Sequence, residues 1–111
     1  MMARRELEEV EKPCNDLLEW AGFDVTKLSQ PRPAIRMTPG IPDCYVRHPS
    51  GFRAWIEYKH PETTGGVTEA QQAWHDQEEL CGGEVAVIHS PEELADWLQS
   101  HGFNYEVEVA T

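Results

Sequence analysis

From Arg53 to Lys59 the chain reads Arg-Ala-Trp-Ile-Glu-Tyr-Lys, a run dominated by β-branched and aromatic residues. Such a run predicts a β-strand, and a strand sends successive side chains to opposite faces. Glu57 and Lys59 therefore share a face, with Trp55 and Arg53 behind them, while Ala54, Ile56 and Tyr58 turn toward a core. Asp43–Arg47 (Asp-Cys-Tyr-Val-Arg) reads as the preceding strand, and His48-Pro49-Ser50-Gly51-Phe52 between the two is rich in turn residues.

A hairpin centred near Ser50 places Asp43 across from Glu57. Directly opposed residues have Cβ atoms roughly 4.5–5.5 Å apart. Two carboxylates that close repel unless a cation or a proton sits between them. A divalent metal answers the repulsion, since hard cations such as magnesium take carboxylate and carbonyl oxygens plus waters. With Lys59 alongside to hold or activate a water, the constellation suits metal-assisted hydrolysis of a phosphodiester.

Length and composition bound this expectation. A chain of 111 residues, 40% hydrophobic and 26% charged, predicts a single globular domain over 1–111. Its apolar runs are too short to span a bilayer, and no apolar stretch follows Arg4 and Arg5 as in a signal peptide. Cys14, Cys44 and Cys81 are scattered, without CxxC spacing, which points to an intracellular, reducing setting and away from a disulfide framework or zinc site. The net charge of −11 sits oddly with nucleic acid, but its distribution is lopsided. All nine Lys and Arg lie at or before Lys59, beside nine acids, whereas the residues after it carry eleven acids and no Lys or Arg. A polyanion would approach the face built by the first half.

Along the chain, Arg4–Ala21 predicts a helix closed by Gly22, with Val10, Cys14, Leu17 and Leu18 as its apolar stripe. Pro13 marks either a kink or a later start near Lys12. Phe23–Leu28 suits a short strand. Pro31, Pro33 and Pro39 make 29–39 a loop, in which Arg32 and Arg36 are candidate phosphate contacts or plain surface arginines. Gly40 and Pro42 set the turn before Asp43, where a glycine lets backbone approach a ligand closely. Thr68-Glu69-Ala70-Gln71 is a capping box opening a helix that carries Ala70, Trp74, Gln77, Leu80 and Cys81 and ends at Gly82-Gly83. Val85–Ile88 is apolar on both faces, the mark of a strand covered on both sides. Ser90-Pro91-Glu92-Glu93 caps a last helix with Leu94, Trp97 and Leu98 inward, and 103–109 alternates as an additional C-terminal strand.

Asp43, a gap and Glu57-x-Lys59 resemble the core motif of the PD-(D/E)xK nuclease superfamily. With Gly40-Ile41-Pro42 before Asp43, His60-Pro61 after Lys59, and Gln71 and His75 on the next helix, the chain resembles more narrowly the VRR-NUC family, in its small stand-alone, often phage-encoded branch. The resemblance covers about Val10 to Leu98. It implies an α/β, restriction-endonuclease-like core, a mixed β-sheet flanked by helices. It also implies an acid from the first helix, which Glu11 matches with Glu8 and Glu6 as alternatives, and a glutamine beside the site, which Gln71 matches although it is equally a cap partner. His75 stands where the family often has a histidine, and a solvent-facing helix position reads the same way.

The function implied is a Mg2+- or Mn2+-dependent DNA endonuclease. Asp43, Glu57, the Tyr58 backbone carbonyl and Glu11 would serve the metal, Lys59 the attacking water, and Gln71 the positioning of either. Expected partners are branched DNA such as a four-way junction and a second copy of the chain. No membrane and no nucleotide cofactor are expected, and the setting would be cytoplasmic, in the host if phage-encoded. The rival is a non-catalytic binding module of the same fold in a DNA-processing complex. A histidine-metal enzyme using His60, His75 and His89 fits no HExxH-like spacing.

Overall fold

The first helix runs through a proline. In the computed structural model, which describes residues 6–28, 38–62 and 66–103, α1 spans Lys12–Trp20 and follows a π turn over Leu7–Glu11. Pro13 has no N–H to donate, and its ring crowds the carbonyl four residues back. The backbone widens in response, and the Lys12 N–H bonds to the Leu7 carbonyl, five residues away. Pro13 thus marks a distortion within the helix, because helical turns precede Lys12.

Four strands follow in the order β1 (Asp24–Lys27), β2 (Cys44–Arg47), β3 (Arg53–Tyr58), β4 (Val85–Ile88), each paired with the next. The first three are antiparallel, and β4 runs parallel to β3. A parallel neighbour needs a crossover, supplied here by α2 (Glu69–Leu80), and α3 (Pro91–Ser100) follows β4. The expected α/β architecture, a mixed sheet flanked by helices, is the one observed. No helix among the described residues is long and apolar enough to cross a membrane.

The β2–β3 ladder pairs Arg47 with Arg53, Tyr45 with Trp55 and Cys44 with Ile56, so the hairpin is centred at Ser50. One face of the sheet is the core. Cys44, Val46, Ala54, Ile56, Tyr58, Ala86 and Ile88 are buried there with Val10, Cys14 and Leu18 of the first helix and Leu94 and Leu98 of α3. On the opposite face α2 lies over β3, with Trp74 packed edge-on against Trp55 at 4.9 Å between ring centroids.

One expectation needs correction here. On α2, Leu80 is 82% exposed, Ala70, Gln77 and Cys81 are exposed, and His75 is the buried residue. The helix crosses the polar end of its face, beside Glu57, and a polar side chain is what that end accepts. Gly40, expected to meet a ligand, meets α2 instead: a Cβ there would fall 2.1 Å from the Ala70 carbonyl oxygen. The C-terminal strand lies outside the described residues except for Phe103, which packs on Phe23 and Phe52 with centroids 5.1 and 5.4 Å away.

Gly40 (φ +82°) is therefore a packing requirement, whereas Gly51 (φ +96°) has nothing within 4 Å of a built Cβ. Gly40→Ala is expected to cost about 3 kcal/mol or more through backbone strain plus a backbone clash, and Gly51→Ala about 1 kcal/mol from strain alone. Urea unfolding of both variants checks the order, and equal losses would contradict the packing role.

Candidate active site

Asp43 and Glu57 lie one step beyond the last pair of the β2–β3 ladder, at the end of the hairpin away from its turn. The Tyr58 backbone N–H donates to Asp43 Oδ2 at 2.7 Å, which holds that carboxylate against β3. Asp43 is 7% exposed and Glu57 3%. The buried core residues of both strands take the other face, which leaves Asp43 and Glu57 outside that core.

The first helix brings a third acid. Glu11, at the end of the π turn, is 4% exposed, and burial followed by Asp43 raises its pKa. Two connections fix the helix against the strand end. Tyr58 Oη donates to Asn15 Oδ1 at 2.7 Å, one turn beyond Glu11. The His60 backbone N–H donates to Glu6 Oε2 at 3.2 Å, and the His60 ring bonds to Glu9. Because the Glu62 N–H donates to His60 Nδ1 at 3.1 Å, Nε2 is assigned the proton shared with Glu9. Glu6, an alternative for the helix acid, is engaged in this clamp, and Glu8 is exposed.

Glu57 Oε1 and His75 Nε2 face each other at 3.9 Å, and neither has a hydrogen-bond partner among the described residues. Glu11 Oε1 is likewise buried and unpartnered. Burial pushes the Glu57 carboxyl well above its ordinary range, Asp43 adds to the rise, and Lys59 opposes it. Burial lowers His75, with Lys59 adding and Glu79 and Asp76 opposing, so its ring is held neutral. Lys59 is half-buried just past β3, its N–H bonded to the Ile88 carbonyl at 3.0 Å.

Buried acids with unpartnered oxygens fit a hard divalent cation that keeps waters of its own. No preformed group of three His, Cys, Asp or Glu ligands occurs among the described residues. Cys14 and Cys44 do not contribute: burial raises both thiols to about 12, and they pack in the core.

Gln71 closes the capping box as read from sequence. Its Oε1 accepts the Thr68 N–H at 2.9 Å and its own N–H donates to Thr68 Oγ1 at 3.2 Å. The side-chain oxygen is therefore committed to the cap. Tyr58 lies in the core by its side chain, and Arg32 and Arg36 lie outside the described residues. His75, left unassigned from sequence, faces Glu57 across the site. Its place one helical turn after Gln71 is the signal that points inward, since residues four apart share a helix face.

The comparison with solved structures bears on the class of this α/β domain, which buries acids where a mixed sheet meets its first helix, and points to a nuclease fold. A structure described as "VRR_NUC domain" superposes with a TM-score of 0.69 at 29% identity, over 89% of this chain and 98% of that one. The likeness supports the resemblance to the VRR-NUC family read from the sequence. No protein-family model and no curated protein matches it by sequence.

The raised Glu57 pKa fixes a sign. A carboxyl whose native pKa exceeds its unfolded value stabilises the fold below the unfolded pKa, and that stability is lost as pH rises through the native one. Glu57→Gln removes the ionisation. In EDTA the variant is expected to exceed wild type by ~2 kcal/mol near pH 9, the gap closing toward pH 5. Urea unfolding at both pH values reads this, and a pH-independent gap would count against a strained carboxylate.

Proposed function

We propose that the chain is a Mg2+- or Mn2+-dependent DNA endonuclease that hydrolyses phosphodiester bonds. The observation that carries this is the buried Asp43–Glu57 pair, with Glu11 from the helix and unpartnered oxygens on both glutamates. Asp43, Glu57 and the Tyr58 backbone carbonyl would hold the cation, with Glu11 serving a second ion or an ordered water. When bound, the metal supplies Lewis-acid stabilisation of the charge that builds on the phosphate.

The protein's own groups account for the rest. Lys59 lies beside Glu57, where its amine form would take a proton from the attacking water, or its ammonium form would orient that water and offset charge on the phosphorus. Gln71, with its oxygen on the cap, has its amide N–H groups left for Lys59 or the water. Arg32 and Arg36 are assigned to phosphates of the cut strand. The products are 5′-phosphate and 3′-hydroxyl ends. Branched DNA such as a four-way junction is the favoured substrate, because two copies related by a twofold would present paired sites to a symmetric junction. A binding module of the same fold has no use for acids buried at this cost.

End-labelled duplex, single-stranded, nicked and four-way-junction DNA, incubated with magnesium, manganese or EDTA, tests this. Cutting should require metal, favour the junction, and fall by at least about a hundredfold in Asp43→Ala and Lys59→Ala. Full metal-dependent cleavage by Asp43→Ala would falsify the assignment.

A further inference from the structure

Beyond the carboxylates, the same sheet face carries a second feature. Arg47, Tyr45 and Asp43 of the β2 segment share it with Arg53, Trp55, Glu57 and Lys59 of the β3 segment, by strand alternation and the Arg47–Arg53 and Tyr45–Trp55 register. At four residues' separation, Arg53 lies about 13 Å from Glu57 along the strand. A cleft of about 550 Å³ opens at the arginine end, with Tyr45, Arg47, His48 and Arg53 in its wall.

Like charges directly opposite each other across a ladder are destabilising. Arg47 is answered by Asp24, its Nε donating at 2.8 Å, whereas the exposed Arg53 has no ion pair or hydrogen bond from its side chain among the described residues. In a chain of net charge −11, this face gathers Arg47, Arg53 and Lys59 in line with the acids. Between the two ends stands Tyr45 of β2, beside the part of β3 that α2 covers. Half-buried Tyr45 packs on Trp55 at 4.6 Å, and Trp55 is backed by Trp74 and anchored by its indole N–H to Glu78 Oε1 at 2.9 Å. Guanidinium suits phosphate by its planar donor fork, and an exposed ring edge or face suits a base.

We propose that this face is a track for one DNA strand, with Arg53 binding a backbone phosphate distant from the one being cut and Tyr45 stacking on a base between them. The track rests on the nuclease reading for its scissile end, but its binding is measurable without catalysis. Arg53 is a binding residue and touches none of the reacting atoms.

The test is fluorescence anisotropy of a short labelled single strand and of a labelled four-way junction, titrated in EDTA at several salt concentrations. Arg53→Ala should weaken binding about tenfold and reduce the salt slope by about one. Arg53→Lys should recover part of the loss. Lys12→Ala removes the same charge from the exposed start of α1, on the core side of the sheet, and should bind as wild type does. Single neutral methylphosphonate linkages, moved along the strand, should identify one position where wild type loses affinity and Arg53→Ala loses no more. Circular dichroism confirms that each variant is folded. Equal behaviour of Arg53→Ala and Lys12→Ala, or no binding by wild type, overturns the track. Arg53-dependent binding without any metal-dependent cleavage supports the track and overturns the nuclease reading alone.

Discussion

A single hydrogen bond organises this molecule's chemistry: the Tyr58 N–H to the Asp43 carboxylate, at the open end of the β2–β3 hairpin. It ties an acid that falls just outside its own strand to the backbone of the next one. The same residue, through its hydroxyl, reaches Asn15 on the core side and fixes the helix that carries Glu11. Tyr58 therefore links both faces of the sheet. Its side chain sets where the helix sits and its backbone sets where Asp43 points, so strand register and site geometry are one constraint.

What that constraint assembles is electrostatically unfavourable. Acids are removed from water and turned toward one another, and a buried charge without a partner costs far more than an exposed one. The core on the other face carries the fold, through Leu18, Ile56, Ile88, Leu94 and Leu98 packed between sheet and helices. The division of labour follows strand alternation, with the core on one side and the acids, Lys59 and the Tyr45–Trp55 pair on the other. His75, neutral and facing Glu57, lets α2 cover the site without adding a further charge.

Much of this was legible in the residues. Alternation from Arg53 to Lys59 sets the two faces, the turn residues around Ser50 set the register, and together they place Asp43 against Glu57 as observed. The capping box and the helix stripes of Val10, Cys14 and Leu18 and of Leu94 and Leu98 were equally direct, because each is a local pattern. The α2 face was not, because what a helix buries depends on which part of the sheet it crosses. His75 reads equally well as solvent-facing until the helix is seen to lie beside the acids. The outcome at Pro13 depended on backbone widening rather than on propensity. Gly40 was read as making room for a ligand when the close neighbour is a carbonyl distant in sequence.

The hairpin also carries a kinetic consequence. Among the strand pairings it joins the partners nearest in sequence, whereas β1 and β2 are separated by residues 28–43 and β4 reaches β3 only after a whole helix. Contacts between near neighbours close with the smallest loss of chain entropy and form first. A hairpin that closes early brings Asp43 and Glu57 together early, so ionising these acids is expected to slow the folding limb of a chevron as well as to hasten the unfolding limb. A bound cation would then act partly as an aid to folding.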